Sequence, residues 1–200
     1  MDFQDLRTAS ALLGTLDVPY FYIGGWGIDL FLGYESRSHS DIELTIYRHQ
    51  QKSLFSWAKS PEIVNAGYSL HVIDPPGTAT MPIWDGQLLE LPIHQLQLYH
   101  SSNRVLDIML SEARGSTWVF RRDPAITAHR QQIERIHPYN LPYHAPEVLL
   151  LYKSKRNASK DRQDRNLAWP KMTGTQQQWL IEALRLYDFR HSWITDLLPL

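Results

Sequence analysis

Two acidic residues with strand spacing are the first feature of the sequence that could support chemistry. Residues 41–46 read DIELTI, and this alternation of polar and apolar residues is typical of a half-buried β-strand. Residues i and i+2 of a strand point to the same face, so we expect Asp41 and Glu43 to lie side by side. Two adjacent carboxylates repel each other unless a cation such as Mg²⁺ lies between them. A solvated strand face is the alternative for a D-x-E pair taken alone.

A glycine pair precedes this acidic segment. Residues 20–23 have the composition of a short strand, and Gly24 and Gly25 follow it directly. Residues 27–32 then show a helical apolar pattern that ends at Gly33. Glycine lets backbone N–H groups come close to a ligand, and a helix N-terminus favours phosphate. We therefore expect Gly24 and Gly25 to cradle phosphate groups, with a simple turn as the alternative.

A third acidic residue occurs in a strongly apolar stretch. Residues 104–110 read RVLDIML, which is typical of a strand buried on both faces. Asp107 lies in the middle of this stretch, and a buried aspartate is costly unless it is paired, hydrogen-bonded or bound to a metal. The alternative is a solvent-facing position at the end of the strand. Glu112 is a weaker acidic candidate just beyond it.

The order of these features resembles the nucleotidyltransferase superfamily, and within it the aminoglycoside 2''-nucleotidyltransferase-like group. The motif of that group reads G-G-W-x-[IL]-D, followed after a turn by R-x-H-x-D-[IL]-[DE]. The matching residues are Gly24, Gly25, Trp26, Ile28, Asp29, Arg37, His39, Asp41 and Glu43. Glu43 departs from the aspartate that the drug-modifying enzymes carry. Its longer side chain changes the reach of the carboxylate, which bears on the drug substrate more than on the nucleotide chemistry.

The resemblance implies Mg²⁺-dependent transfer of a nucleoside monophosphate from a triphosphate such as ATP to a hydroxyl acceptor, with release of pyrophosphate. Asp41, Glu43 and Asp107 would then be the catalytic residues and the metal ligands. For Asp107, the role would be metal ligation, general base for the acceptor hydroxyl, or both. Asp29 is expected to be structural, through a pair with Arg37. The nucleotide-binding residues implied in this part of the chain are Gly24, Gly25, Trp26, Arg37 and His39.

A second segment resembles the same group and its toxin-like relatives, through the pattern P-[EV]-x-x-L-x-Y-K-x-K followed by K-D-x-x-D. The matching residues are Pro146, Glu147, Leu151, Tyr152, Lys153, Lys155, Lys160, Asp161 and Asp164. Two lysines two residues apart on a helix cannot both face one site, and we favour Lys153 as the one that neutralises phosphate. A solvated basic face from Lys153 to Arg165 is the alternative. The arginines 121 and 122 have two interpretations as well, contact with phosphate or pairing with acidic neighbours.

Composition limits the classes of function. The chain has 200 residues, a net charge of −1 and no cysteine. The absence of a basic field makes nucleic acid an unfavoured partner, and the lack of cysteine excludes disulfides and thiol catalysis. We expect a cytoplasmic protein without a membrane partner, because no leader pattern or membrane-length apolar run is present. No P-loop motif and no G-x-S-x-G motif occurs.

The expected fold is α/β in the broad sense, or α+β: a nucleotidyltransferase-like mixed sheet flanked by helices. Residues 1–140 would form the catalytic domain, and residues 141–200 a small helical region. In detail, we expect strands at 63–66 and 68–73 and a loop with strong turn chemistry at 74–77.

The acceptor would be a small hydroxylated molecule such as an aminoglycoside-like compound, and less favourably RNA or a protein. The substitution at Glu43 motivates a competing hypothesis. In it, the fold is retained without catalysis, as a nucleotide-binding or partner-binding module. The sequence does not determine the oligomeric state, the base of the nucleotide or the number of metal ions.

Overall fold

The computed structural model describes residues 3–73 and 82–198, so the loop expected at 74–77 lies outside the described residues. These residues form a mixed nine-stranded sheet with helices packed against it. The helices are α1 (Gln4–Leu12), α2 (Gly24–Leu32), α3 (Gln51–Ala58), α4 (Pro61–Asn65), α5 (Arg130–Ile133), α6 (Pro146–Ser154), α7 (Ser159–Ala168), α8 (Gly174–Tyr187) and α9 (Ser192–Leu197). The strands are β1 (Phe21–Tyr22), β2 (Glu43–Tyr47), β3 (Tyr68–Ile73), β4 (Gln95–His100), β5 (Asn103–Arg114), β6 (Thr117–Val119), β7 (Thr127–His129), β8 (Glu134–His137) and β9 (Leu141–His144).

The sheet has the strand order β3-β4-β5-β2-β1-β9-β8, and β6 and β7 extend from the far half of β5. The pairs β2–β5 and β1–β9 are parallel, while β1–β2, β3–β4, β4–β5 and β8–β9 are antiparallel. The expected mixed sheet flanked by helices is therefore confirmed. The longest strand, β5, has twelve residues and pairs with β4, β2 and β6 along its length.

Two hydrophobic clusters pack on the sheet. One contains α1 and α3 with residues of β3, β4 and β5, for example Leu6, Leu54 and Leu98. The other joins α2 to the C-terminal helices through buried residues such as Ile28 and Leu150. The conformation around α2 thus depends on residues far along the chain, because its apolar face is covered by α6.

Three local expectations differ from the structure. Helix α2 begins at Gly24, so the glycine pair forms its first turn instead of preceding it. Residues 63–66 were expected as a strand, but they fall in and just after helix α4, which begins at Pro61. Proline is well suited to the first position of a helix, and Glu62 in the first turn adds a favourable charge. The end of β5 was also underestimated, since the strand continues to Arg114.

The division into residues 1–140 and 141–200 stays a prediction. Strand β9 belongs to the second of these segments, yet it lies in the sheet between β1 and β8. Helices α6 to α9 follow β9 within this second segment. Among the described residues, no helix is both long and apolar enough to cross a membrane.

Candidate active site

The acidic residues meet where β2 and β5 run side by side. Glu43 is the first residue of β2 and lies directly opposite Asp107 in the parallel register. Asp41 precedes the strand, although the backbone N–H of Asp107 still donates to the carbonyl of Ile42 at 2.9 Å. Asp41 therefore does not extend β2 as the alternation predicted. The three residues nevertheless lie close together where β2 begins, because the register brings the two segments together. We call this end of the interior strands the acidic edge.

Two cavities open on this acidic edge. One, about 280 Å³ in volume, is lined by both glycines of the pair, Glu43 and Lys153, and we call it the glycine cavity. The other, about 210 Å³, is lined by Asp5, Trp26, Arg104 and Asp107, and we call it the acidic cavity. Asp41 lines both of them. The carboxylates thus lie at the boundary between two spaces, each large enough for part of a ligand.

The carboxylate of Glu43 lacks a compensating partner. Among the described residues, none donates a hydrogen bond or contributes an ion pair to it. Burial, together with the negative charges of Asp41 and Asp107, raises the pKa of Glu43, and the charge of Lys153 offsets this only in part. A carboxylate that is desolvated and repelled in this way is a place where a cation would be stabilising.

The other two carboxylates share one arginine. The guanidinium of Arg104 lies 3.3 Å from Asp107 Oδ2 and 3.7 Å from Asp41 Oδ2. Asp107 also accepts a hydrogen bond of 2.7 Å from Gln97 Nε2. Burial raises the pKa of Asp107 despite these partners. The alternative that Asp107 faces solvent is wrong, since its residue is only 3% exposed.

The set of donors fits a hard divalent cation such as Mg²⁺, because it consists of carboxylate oxygens with excess negative charge. The uncompensated carboxylate of Glu43 is the observation that supports this fit. Within residues 3–73 and 82–198, however, no group of three or more acidic or histidine side chains is already arranged to hold a metal ion. Arg104 engages two of the three carboxylates, so their side chains would have to reorient around a cation.

The glycine pair is required by the protein's own side chains. A Cβ atom on Gly24 would overlap the carboxylate of Glu43, and one on Gly25 would overlap Arg37 and His39. Gly24 also has a φ of +64°, a conformation that favours glycine. Both glycines line the glycine cavity at the first turn of α2, where N–H groups have no acceptor within the helix. The phosphate-cradling role remains a prediction with this geometry behind it.

The buried side chain of Asp29 orients the loop that follows α2. His39 Nε2 lies 2.6 Å from Asp29 Oδ2, and His39 Nδ1 lies 3.0 Å from Arg37 Nη1. Arginine can only donate, so Nδ1 of a neutral His39 accepts and Nε2–H donates to the aspartate. Asp29 therefore pairs with His39 and not with Arg37 as expected. The motif residues Asp29, Arg37 and His39 form one hydrogen-bonded chain.

Arg37 connects this chain to the C-terminal region. Its Nε and Nη2 each donate to the carboxylate of Asp164 at 3.1 Å. Lys153 Nζ lies 2.8 Å from the same carboxylate and 3.7 Å from Asp161. Burial raises the pKa of Asp164, but the hydrogen bond from Arg37 and the charge of Lys153 outweigh it, so the pKa lies below its usual range. The two sequence motifs thus meet in one buried ion network.

Replacing Asp164 by asparagine is expected to destabilise the fold by about 3–5 kcal/mol, because Arg37 and Lys153 would lose their shared buried counter-charge. Urea denaturation of the wild type and the variant measures this change in the free energy of unfolding. The matched control is Asp196→Asn, which removes an aspartate that is 47% exposed from its pair with Arg165 and should cost less than Asp164→Asn, because the buried Arg165 keeps its two hydrogen bonds to Asn166. Because the pKa of Asp164 is depressed in the folded state, its stabilisation is present at neutral pH and is lost as the pH falls through that folded pKa. Equal effects of the two variants would contradict the prediction.

The residues expected to bind the nucleotide fall into two groups, which line different cavities. Arg37 and Lys153 line the glycine cavity together with the two glycines. Trp26 and His39 line the acidic cavity instead, with their rings 4.4 Å apart. Lys153 lines the glycine cavity, whereas Lys155 is exposed and is not part of this lining. The role of Lys153 toward phosphate stays a prediction.

Sequence reasoning missed several residues around these cavities. Arg104 directly precedes the apolar stretch of β5, but no spacing rule connects it to Asp41. His144 is buried in the wall of the glycine cavity, and a single histidine in the sequence gave no signal of this.

Arg121 and Arg122, which follow β6, both line the glycine cavity. Neither forms an ion pair with a carboxylate among the described residues. The second interpretation of these arginines, pairing with acidic neighbours, is therefore not met by an ion pair in the described part of the chain, although the charge of Glu112 acts on Arg121.

Comparison with known proteins supports the nucleotidyltransferase fold. Residues 5–66 match the family model of aminoglycoside-2''-adenylyltransferase. No curated protein sequence matches the chain. The solved structure of the lincosamide antibiotic adenylyltransferase LnuA with lincomycin bound is 18% identical, with 82% of this chain and 94% of that chain covered and a TM-score of 0.55.

Two structures of ANT(2'')-Ia are also similar. The one in complex with adenylyl-2''-tobramycin is 16% identical, with 92% of this chain and 97% of that chain covered and a TM-score of 0.59. The solution structure of this antibiotic-resistance factor is 16% identical, with 93% and 94% covered and a TM-score of 0.60. The chain has the nucleotidyltransferase fold. The resemblance of the first motif, Gly24 to Glu43, to the aminoglycoside 2''-adenylyltransferase group is confirmed, while the second motif lies outside the residues that the family model matches.

Proposed function

We propose that this protein is a nucleotidyltransferase that moves a nucleoside monophosphate from a triphosphate to a hydroxyl group of a small acceptor, with release of pyrophosphate. The observation that supports this most strongly is the pair of cavities on either side of Asp41. A transfer reaction needs two substrates that meet at one point, and the acidic edge of the sheet is common to both cavities.

The triphosphate would occupy the glycine cavity. Cationic side chains of Arg37, Lys153, Arg156 and Lys160 line it, and the first turn of α2 supplies backbone N–H groups. These groups neutralise phosphate charge and fix the α-phosphorus at the edge where the carboxylates lie. The network of Asp164 holds Arg37 and Lys153 in place for this role.

Asp41, Glu43 and Asp107 would hold Mg²⁺. When bound, this ion supplies Lewis-acid charge stabilisation to the phosphoryl oxygens and relieves the repulsion among the carboxylates. Asp107 faces the acidic cavity, where it could accept the proton of the acceptor hydroxyl as general base. Its raised pKa favours proton acceptance near neutral pH more than an ordinary aspartate would.

The acceptor would occupy the acidic cavity. Three aspartates and one arginine line it, so it is suited to a hydroxylated molecule that also carries amino groups. The indole N–H of Trp26 is buried there without a partner among the described residues, and it could donate to an acceptor oxygen. The similar structures with lincomycin and with adenylyl-2''-tobramycin support an antibiotic-like acceptor of this type.

Calorimetry with the four nucleoside triphosphates and Mg²⁺, on the wild type and on Asp41→Asn, tests this proposal. We expect one or more triphosphates to bind with micromolar affinity, and binding to require both Mg²⁺ and Asp41. Release of pyrophosphate on addition of an aminoglycoside or lincosamide would complete the test. Failure of all four triphosphates to bind would overturn it.

A binding module without catalysis is the second candidate. The ion pairs of Arg104 favour it, because they neutralise two of the carboxylates without any metal. In that case a triphosphate would bind, but no acceptor would cause release of pyrophosphate.

A further inference from the structure

Glu43 and Asp107 belong to a row of side chains that continues onto β4. Glu43 lies opposite Asp107, and Asp107 in turn lies opposite Gln97. Residues directly opposite each other in neighbouring strands place their side chains on the same face of the sheet. The opposite face is apolar here, since the paired residues Leu96 and Ile108 are completely buried in the core. The side chain of Gln97 is therefore placed against one of the carboxylates of the acidic edge.

The carboxylate of Asp107 is held mainly through one of its two oxygens. Gln97 Nε2 donates to Oδ1 at 2.7 Å, whereas Gln95 Nε2 lies 3.4 Å from the same oxygen, beyond the usual length of a hydrogen bond. The other oxygen, Oδ2, lies 3.3 Å from the guanidinium of Arg104, which also faces Asp41. Gln97 thus restricts the rotation of the carboxylate, and Oδ2 is the oxygen that shares a cation with Asp41.

The amide of Gln97 is itself held in one orientation. The hydroxyl of Tyr99 donates to Gln97 Oε1 at 3.0 Å. If the amide were turned over, Oε1 would face the carboxylate of Asp107, and two acceptors would oppose each other. Gln97 is only 7% exposed, so water has little access to replace either partner. Tyr99, Gln97 and Asp107 therefore form a hydrogen-bonded chain that crosses from β4 to β5.

A chain of this kind suits a carboxylate that takes part in a reaction. A carboxylate that binds a cation or accepts a proton uses a defined lone pair, and hydrogen bonds from outside the site keep that lone pair aimed. In the part of the chain that the structure describes, the walls of the two cavities include neither Gln97 nor Tyr99. Any effect of these two residues on a substrate would therefore pass through Asp107.

We propose that Gln97 is a positioning residue for nucleotidyl transfer. It holds Asp107 through Oδ1 and leaves Oδ2 for the reaction, while Tyr99 keeps the amide of Gln97 in the orientation that donates. This inference rests on the proposed function, because that function gives Asp107 its role in transfer. It deepens the function by assigning the orientation of this carboxylate to a residue of β4 outside the sequence motifs.

The test compares the wild type with three variants at saturating Mg²⁺. Gln97→Met keeps the approximate length of the side chain and removes the donor. Gln95→Met is the matched control, because it makes the same change on the same face of β4 at the residue with the longer contact to Oδ1. Tyr99→Phe removes only the hydroxyl that orients Gln97.

Three quantities are measured on each protein, with the triphosphate that the wild type binds best. They are kcat and KM for release of pyrophosphate with an aminoglycoside or lincosamide acceptor, the affinity for the triphosphate by calorimetry, and the free energy of unfolding in urea. The last of these gives the folded fraction, so that kcat is expressed per folded molecule.

We expect Gln97→Met to lower kcat about 10–100-fold, the usual effect of losing an outer partner of a metal-binding side chain. The KM and Kd for the triphosphate should stay within about twofold of the wild type, since Gln97 does not line the glycine cavity. Tyr99→Phe should lower kcat about fivefold, because the amide loses one orienting hydrogen bond. Gln95→Met should keep kcat within about twofold.

A purely structural role for Gln97 predicts a different pattern. Gln97→Met would then destabilise the fold while kcat per folded molecule kept its wild-type value, and this result would overturn the positioning role. Equal losses of kcat in Gln97→Met and Gln95→Met would overturn it as well. If Gln97→Met does not fold, a wild-type kcat in Tyr99→Phe would have the same meaning.

These failures are distinct from a failure of the proposed function. In each of them the wild type still transfers the nucleotide, so the proposed function stands. If the wild type releases no pyrophosphate with either class of acceptor, both proposals fall together.

Discussion

Replacing Glu43 by glutamine is expected to lower the rate of nucleotidyl transfer about 10³-fold, because under the proposed function one charged ligand of the metal would be lost. Stabilisation of transition-state charge by a metal is worth several kcal/mol, and about 4 kcal/mol corresponds to this factor. The same change should stabilise the protein without metal. Burial and the charges of Asp41 and Asp107 oppose ionisation of Glu43, and a neutral amide escapes both. A gain of about 1 kcal/mol would raise the melting temperature by roughly 2–4 °C.

Glu43→Asp is the matched control for this first prediction. It keeps the negative charge and restores the aspartate of the family motif, so it should retain activity although the side chain is one methylene group shorter. Pyrophosphate release and thermal melting, each with and without Mg²⁺, are the measurements. A Glu43→Gln variant that transfers nucleotide at the wild-type rate would exclude Glu43 from the metal site. A fall in its melting temperature without metal would show that another group compensates the charge.

Replacing Gly24 by alanine is expected to lower the rate of transfer about 10²-fold and to destabilise the fold. The new methyl group would overlap the carboxylate of Glu43, and the φ of +64° would be strained for alanine. The strain alone costs about 1–2 kcal/mol. Displacement of Glu43 then adds the catalytic loss, because even a small misplacement of a positioning group can cost about 10²-fold in rate.

Gly33→Ala separates these two contributions. Gly33 ends α2 with a φ of +81°, and a Cβ atom there would meet no other atom within 4 Å. This variant should show the cost of strain and keep its activity per folded molecule. Urea denaturation and pyrophosphate release on both variants make the comparison. If Gly33→Ala loses as much activity as Gly24→Ala, backbone strain in α2 explains the effect and the contact with Glu43 does not.

The local pattern was sufficient to predict the central elements. The alternation around Glu43 and the apolar run around Asp107 identified β2 and β5, whereas the mixed sheet that joins them was implied by the resemblance to the nucleotidyltransferases. Helix α4 was missed because residues 63–66 are too short a window for periodicity to separate a helix from a strand. Its proline at the first turn was the stronger signal.

The site was predictable where residues are close in the sequence. Asp29, Arg37, His39 and Asp41 occur within one short segment, so a motif could identify them. The hydrogen-bond and ion-pair partners of these side chains could not be assigned from the motif. Asp29 bonds to His39 because the loop folds back over α2, and Arg104 reaches Asp41 only through the pairing of β2 with β5. Such contacts depend on tertiary packing, which leaves no period or spacing in the sequence.

The bond between Arg37 and Asp164 spans 127 positions of the chain, and this separation has a consequence for how the protein is made. A ribosome adds Arg37 and the acidic strand early, but the aspartate that fixes this arginine emerges only after most of the sheet. Closing so long a loop is among the slower events of folding. The nascent chain therefore carries the complete glycine motif for much of its synthesis without an ordered place for a triphosphate. Under the proposed function, nucleotide binding would begin only when the C-terminal helices dock, so activity would report that Arg37 has found its partner Asp164.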